Sequence, residues 1–173
     1  CRGVSNLKYT KVAHGLGRNG VLLHRVKLID SNLCPVCQVP DTTVHMCLSC
    51  KRSGLPQHQA AWTDEQVDAI SEYINNAELR SDLRTLWSNA HQCLPGATHP
   101  YKWQSCGQTA DLLDQLAAAG TWATKAALFP TTWKQLLTHW KVTEFDQNAL
   151  NTRLKELSVD AVSEMRAAAR PRQ

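Results

Sequence analysis

Cys34-Pro35-Val36-Cys37-Gln38-Val39-Pro40-Asp41-Thr42-Thr43-Val44-His45-Met46-Cys47-Leu48-Ser49-Cys50 is the stretch on which the reading of this 173-residue chain turns. Its spacing is Cys-x2-Cys-x7-His-x4-Cys. Two thiolates separated by two residues converge on one ion from a tight turn, which Pro35 helps to set. Pro40-Asp41 supplies a second turn, and the connection is long enough for the chain to return. A helical turn from His45 then presents His45 and Cys50 to the same ion. Three sulfurs and one imidazole nitrogen suit tetrahedral Zn2+ and leave no position open for water, which marks a structural site rather than a catalytic one. Cys34, Cys37, His45 and Cys50 are the predicted ligands; the competing account is ordinary thiols beside an incidental histidine. Cys47, two residues after His45, makes a cramped pair with it on a helical turn and is expected to be a buried, non-ligating thiol. Because metal binding in such a site is folding free energy, residues 15–50 are expected not to fold without the ion.

The cysteine count agrees. Seven cysteines, four of them between positions 34 and 50, do not form an evenly spaced disulfide framework. Metal in a reducing compartment explains the cluster better. A chain that opens on Cys1 reads as a processed product, an excised fragment or a partial chain, so an upstream leader lies outside the reading.

Outward from the knuckle, charge is uneven. Residues 1–54 hold eight cations (Arg2, Lys8, Lys11, Arg18, Arg25, Lys27, Lys51, Arg52) against Asp30 and Asp41. That segment is +6 and the chain is +4, so the rest sums to −2. A basic surface at one end suits phosphates, and an ordinary solvated basic face is the alternative. Hydrophobic content of 43% and charged content of 20% are those of a folded, non-membrane protein. No run approaches the roughly 18 apolar residues of a membrane span.

A break at Lys51-Arg52-Ser53-Gly54-Leu55-Pro56 divides the chain into a basic knuckle segment, 1–54, and a Trp-rich helical region, 55–173. Before it, Val21 to Ile29 reads as a short helix entering the knuckle, with a buried strand as the competitor. After it, Thr63 and Gln66 resemble a capping box, followed by Val67, Ile70 and Ile74 at helical spacing. Leu79, Leu83, Leu86 and Trp87 share a face of the next helix. Leu94 to Gly107 reads as a loop. Helix resumes from Thr109 through Leu112, Leu113 and Leu116 and stops at Gly120. A short segment from Trp122 to Leu128 stops at Pro130. Another helix starts at Thr132 and ends near Lys141. Thr143 with Asp146 caps the last, which carries Leu150, Leu154, Leu157 and Val162. Arg166 to Arg172 reads as a frayed basic end. Six tryptophans, at 62, 87, 103, 122, 133 and 140, fill the core between short helices in preference to stacking on bases.

The segment Val12-Ala13-His14-Gly15, Leu23-His24-Arg25-Val26-Lys27-Leu28, Ser31, Cys34-Pro35-Val36-Cys37, Thr43-Val44-His45 and Cys50 resembles the region that closes many non-LTR retrotransposon polyproteins. There a Leu-His-Arg helix leads into Cys-Pro-x-Cys, Thr-x-His and a final Cys, downstream of a reverse transcriptase and often of an RNase H domain. The resemblance covers residues 10–52 and implies a zinc knuckle that helps bind template RNA or target DNA. It makes Arg18, His24, Arg25, Lys27, Lys51 and Arg52 the candidate phosphate contacts. The polymerase carboxylates and RNase H acids would lie upstream. Asp30 and Asp41 are isolated, so no two-metal site is expected here.

Other patterns are weaker. His91-x-Cys93 with His99 and Cys106 matches no metal spacing. Ser105-Cys106-Gly107 and Thr138-His139 suggest a nucleophile only by chance. Gly15-x-Gly17-x-x-Gly20 has the letters of a dinucleotide fingerprint without a βαβ unit around it. The expectation is a mostly α-helical protein, with a small zinc knuckle followed by a multi-helix region. It is not an enzyme. It binds RNA or DNA, or alternatively serves as a structural subunit of a larger assembly, possibly a ribonucleoprotein, through protein contacts.

Overall fold

The computed structural model describes residues 6–13, 19–88, 99–127 and 130–169. Within them the protein is mostly helical. The helices are α1 (Asn6–Ala13), α2 (Gly20–Arg25), α3 (Thr43–Leu48), α4 (Leu55–Ser71), α5 (Ala77–Ser88), α6 (Gly107–Ala118), α7 (Thr121–Lys125), α8 (Thr131–His139) and α9 (Glu144–Ala169). Among the described residues there is no strand, only an isolated bridge between Leu33 and Pro40. None of these helices is long and apolar enough to cross a membrane.

The bundle is organised on α4 and α9, which pack along each other; α5 lies against α4, α6 against α8, and α1 against α9. The long helix α9 follows its apolar stripe. Gln147, Leu150, Leu154, Leu157, Ala161, Val162 and Met165 are buried at spacings of three and four. Thr143 Oγ1 accepts the Asp146 N–H at 3.2 Å, the cap its sequence announces. Asn76 caps α5 through Leu79 N at 2.8 Å. Gly120, at φ 93°, turns the chain from α6 into α7.

Four elements differ from the sequence expectation. Helix α4 begins at Leu55, behind Gly54 at φ 87° and with Pro56 in its first turn. Thr63 therefore lies mid-helix. It is buried, donates to the Gln59 carbonyl at 3.3 Å and accepts from Lys125 Nζ at 2.6 Å. Its hydroxyl serves a tertiary contact, so the capping pattern misleads. Helix α9 runs through Arg166 to Ala169 because Met165 is fully buried and extends the stripe. Helix α1 has no counterpart in the sequence reading; Tyr9 Oη donates to the Ala127 carbonyl, and Lys155 Nζ stands 4.8 Å over its ring. The stretch Val21–Ile29 is helical only to Arg25, after which Lys27 takes a left-handed φ of 62°. Of the expected loop at 94–107, residues 99–106 are non-helical and the earlier part lies outside the described residues. Leu128, expected in the segment after Trp122, also lies outside them.

Tryptophans fill the core. Trp62, Trp87, Trp122 and Trp133 are buried, in the pairs Trp62–Trp122 and Trp87–Trp133 with centroids 6.3 and 6.1 Å apart. Trp103 and Trp140 are partly buried against the same cluster. Lys125 is buried among them, its ammonium donating to Thr63 Oγ1 and to Gln66 Oε1 at 3.1 Å, 4.5 Å from the Trp62 ring centroid. These three electron-rich groups satisfy the nitrogen without a carboxylate. Burial still holds its pKa down at about 7, with Cys47 and Asp64 pulling the other way.

The knuckle joins this core. Met46, Cys47 and Leu48 of α3 are buried in the same cluster as the bundle leucines, and α3 packs against α4 and α9. Gln59 on α4 reinforces the contact, donating to the carbonyls of Met46 at 3.0 Å and Cys50 at 3.1 Å.

Candidate metal centre

The knuckle is two short pieces of chain folded onto one point. In the first, the Cys34 carbonyl accepts from Gln38 N at 2.9 Å and Cys34 N donates to the Val39 carbonyl at 2.7 Å. Gln38 closes this turn with φ 58°, and the Leu33–Pro40 bridge clamps its base. In the second, Thr42 Oγ1 accepts from His45 N at 3.0 Å and starts α3. The His45 carbonyl then receives both Ser49 N and Cys50 N at 2.9 Å, which ends the helix and swings Cys50 back.

The result brings Cys34, Cys37, His45 and Cys50 together, with the ligating atoms all within 4.8 Å of one another. Cys34 Sγ and Cys50 Sγ are 3.7 Å apart. A tetrahedral ion with metal–sulfur bonds of about 2.3 Å needs a separation of about 3.8 Å. His45 Nε2 is buried and has no hydrogen-bond partner among the described residues. Its other nitrogen, Nδ1, lies 2.9 Å from Ser49 Oγ, which in turn is 3.4 Å from the His45 carbonyl it donates to. A ring whose Nδ1–H is held by a hydroxyl presents a bare Nε2 lone pair, the tautomer a metal takes. These are the donor set and the orphaned atom of a site that could hold a metal ion, three sulfurs and one nitrogen.

Electrostatics favour thiolate at Cys34 and oppose it at Cys50. Burial raises the Cys34 thiol, but N–H groups of Cys37 and Val36, the Cys50 thiol and the Arg52 charge outweigh it and bring it below its ordinary value. Burial pushes Cys50 up, opposed by the backbone N–H and guanidinium of Arg52, with Nε 3.1 Å from Cys50 Sγ. Lys51 N donates to Cys37 Sγ at 3.3 Å. Burial lowers the His45 pKa, joined by the Arg52 charge and opposed by Asp41, which favours the neutral imidazole that can ligate.

Cys47 does not join the cluster. Two residues along a helix turn the side chain through about 200°, so His45 faces the site and Cys47 the core. It is fully buried, and burial pushes its thiol up to about 12, against the pull of Arg166 and Lys125.

Of the expected phosphate contacts, His24, Arg25, Lys27 and Lys51 are exposed. Arg52 is not on the open surface: its side chain is 19% exposed and its guanidinium is tied to Asp41 at 2.9 Å and to Cys50. Arg18 lies outside the described residues. Asp41, isolated in sequence, thus becomes the counter-charge of the centre. Its backbone also ties α2 to the knuckle, receiving Val21 N at 3.3 Å, while the Asp41 side chain leaves no room for a Cβ at Gly20. Ser49 and Asp41 were not singled out by sequence. Ser49 had a signal, the i to i+4 spacing from His45 on a helical turn; the Asp41–Arg52 pair had none.

Among the described residues the weaker patterns assemble no second centre. His91 and Cys93 lie outside the described residues. His99 stacks on Tyr101, with Nε2 3.2 Å from Asp114 Oδ1, and Cys106 is exposed before α6. Cys106 does not line the cleft between α6 and α8 that holds Thr138 and His139. Of the Gly-x-Gly letters, Gly15 and Gly17 lie outside the described residues, and Gly20 opens α2 against Asp41.

Comparison of the chain with family models, with curated proteins and with solved structures finds no match. The class that the fold and site define is therefore a mostly α-helical protein carrying a Cys3His cluster able to hold a metal ion.

Proposed function

We propose that this chain is a non-catalytic, zinc-dependent nucleic-acid-binding module, similar to the tail of a retroelement reverse transcriptase. One observation carries the reading: the charged side chains exposed in the knuckle segment are mostly cations, with Asp30 the one exposed acid among described residues 19–54. His24, Arg25, Lys27 and Lys51 face solvent, whereas Asp41 is turned inward onto Arg52. Such a face neutralises phosphates and releases their counterions.

Zinc is the ion that suits three thiolates and an imidazole at tetrahedral spacing. When bound it supplies cross-linking of the Cys34–Cys37 turn to α3, and no chemistry. Four protein donors leave no place for a reacting water, which supports a non-catalytic role. The retroelement ancestry rests on the Leu23-His24-Arg25 approach and the knuckle spacing alone; the polymerase and RNase H acids of such polyproteins lie upstream of this region.

The test is fluorescence anisotropy with generic RNA and DNA at stepped salt, with and without a chelator. Affinity that falls steeply with salt and disappears on chelation is expected. Absence of binding, or binding indifferent to salt and chelator, overturns the reading. A second reading, a structural subunit of a larger assembly, has its own observation: aliphatic side chains exposed in the same segment, among them Leu28 and Val36. Partner binding retained at high salt, with no nucleic-acid affinity, would establish it.

A further inference from the structure

We infer that the face formed by α2, its following turn and the outer side of the knuckle takes single-stranded, thymine-bearing DNA in preference to a duplex or to RNA. The inference rests on the nucleic-acid reading above and narrows it.

Its starting point is where apolar side chains meet water. Among the described residues the exposed large hydrophobics, Phe145 apart, all fall between Leu22 and Val39. Leu28 is 68% exposed, Val36 58% and Val26 53%. In the bundle, residues of the same types are buried. Cations are interleaved with these side chains: Arg25 and Lys27 adjoin Val26 in sequence, and the Lys51 N–H bond to Cys37 Sγ holds Lys51 against the residue that follows Val36. Asp30 is the one exposed acid in the stretch, because Asp41 is engaged by Arg52. The face thus combines positive charge with aliphatic surface.

A duplex matches only half of that. It offers phosphates outside and keeps the flat faces of its bases inside the stack. A single strand offers both, since its bases turn out and present apolar faces while its backbone meets the cations. The absence of aromatics from the exposed group weakens ring stacking but suits methyl contact, and thymine is the base with a methyl group. Aliphatic side chains also have no hydrogen bond to give a ribose 2′-hydroxyl, so covering one would leave it desolvated and unpaired. Deoxyribose has no such group.

The experiment uses the full zinc-loaded chain and three probes: oligo(dT) of about fifteen nucleotides, the same strand annealed to oligo(dA), and oligo(rU) of equal length. Anisotropy titrations run from low to high salt. Expected is a preference for oligo(dT) of about tenfold over the duplex, with log affinity falling against log salt at a slope of about −2 for three phosphate contacts. Leu28→Ser with Val36→Ser should lower oligo(dT) affinity about tenfold, the loss of part of two apolar contacts, and leave the slope unchanged. Lys27→Asn with Lys51→Ala should reduce the slope by about 1.4; asparagine is chosen because Lys27 has φ 62° and asparagine tolerates that region. Zinc stoichiometry and circular dichroism report that each variant is folded, and all the altered side chains are exposed. Equal or tighter binding of the duplex or of oligo(rU) overturns the inference and leaves the module reading standing. So does an unchanged affinity in the serine variant. Failure of all three probes overturns both this inference and the nucleic-acid reading.

Discussion

The knuckle and the bundle spend apolar residues in opposite ways. From α4 to α9, leucines and tryptophans turn inward: Trp62, Leu83, Leu113, Trp133, Leu136 and Leu154 are each no more than 1% exposed. From Leu22 to Val39, every aliphatic side chain but Leu23 is exposed. The bundle is therefore held by area removed from water. The outer knuckle is held by two hydrogen-bonded turns, an ion pair and the donor cluster. The difference teaches that a segment stapled by side-chain donors does not need its hydrophobic residues for its own stability, which frees them for a partner. The two regimes meet at α3, with His45 on the cluster and Met46, Cys47 and Leu48 in the common core, where the buried sulfurs of Cys34 and Cys50 join them.

That contrast can be broken most severely at the cluster. Chelation, or Cys34→Ser, should remove a metal-binding free energy on the order of 10 kcal/mol. Amide exchange should then show residues 19–50 losing protection while α9 keeps its own; uniform loss of protection would mean the two regions are one cooperative unit. Trp133→Ala should do the converse. It empties part of the bundle core and should lower global stability by about 3–5 kcal/mol in denaturant, leaving metal stoichiometry unchanged at low denaturant. Ser49→Ala takes away only the oxygen that orients His45 Nδ1, so competition with a chromogenic chelator should show metal affinity about 10–100-fold weaker, with the helical signal intact.

The smallest expected effect is a pH dependence that belongs to the bundle alone. Lys125 in the folded chain has its pKa lowered to about 7, whereas in the unfolded chain it is about 10.4. Between those values the unfolded state binds a proton that the folded state lacks, so stability rises with pH through that window and is flat with respect to this group below it. The gain should be on the order of 1 kcal/mol per pH unit at most. Melting curves at pH 7 to 9 should show the rise in the native chain, and Lys125→Met should flatten it.

Sequence was most informative where structure is local. Spacing alone brought out the cysteines and histidine, because a donor cluster of this kind is built from turns only a few residues long. Helices α5, α6, α8 and α9 were legible from leucine periodicity together with caps or a terminal glycine. Thr63 shows the limit: its hydroxyl fits a capping pattern, but it answers to Lys125, 62 positions away. Helix α1 was illegible for the same reason, since Tyr9 meets the Ala127 carbonyl across 118 positions. Arg52 was read as a surface cation because its partners, Asp41 and Cys50, converge on it only in the folded chain.

The turn at Gln38 places a restriction on descent. Its φ of 58° is a conformation that glycine and asparagine enter readily and that β-branched residues resist. Sequence drift at this position is therefore channelled: glycine or asparagine would keep the two sulfurs of Cys34 and Cys37 converging, while valine, isoleucine or threonine would force the loop to be rebuilt. A distant homologue that preserves every donor but carries valine at the position of Gln38 should have acquired a compensating insertion nearby.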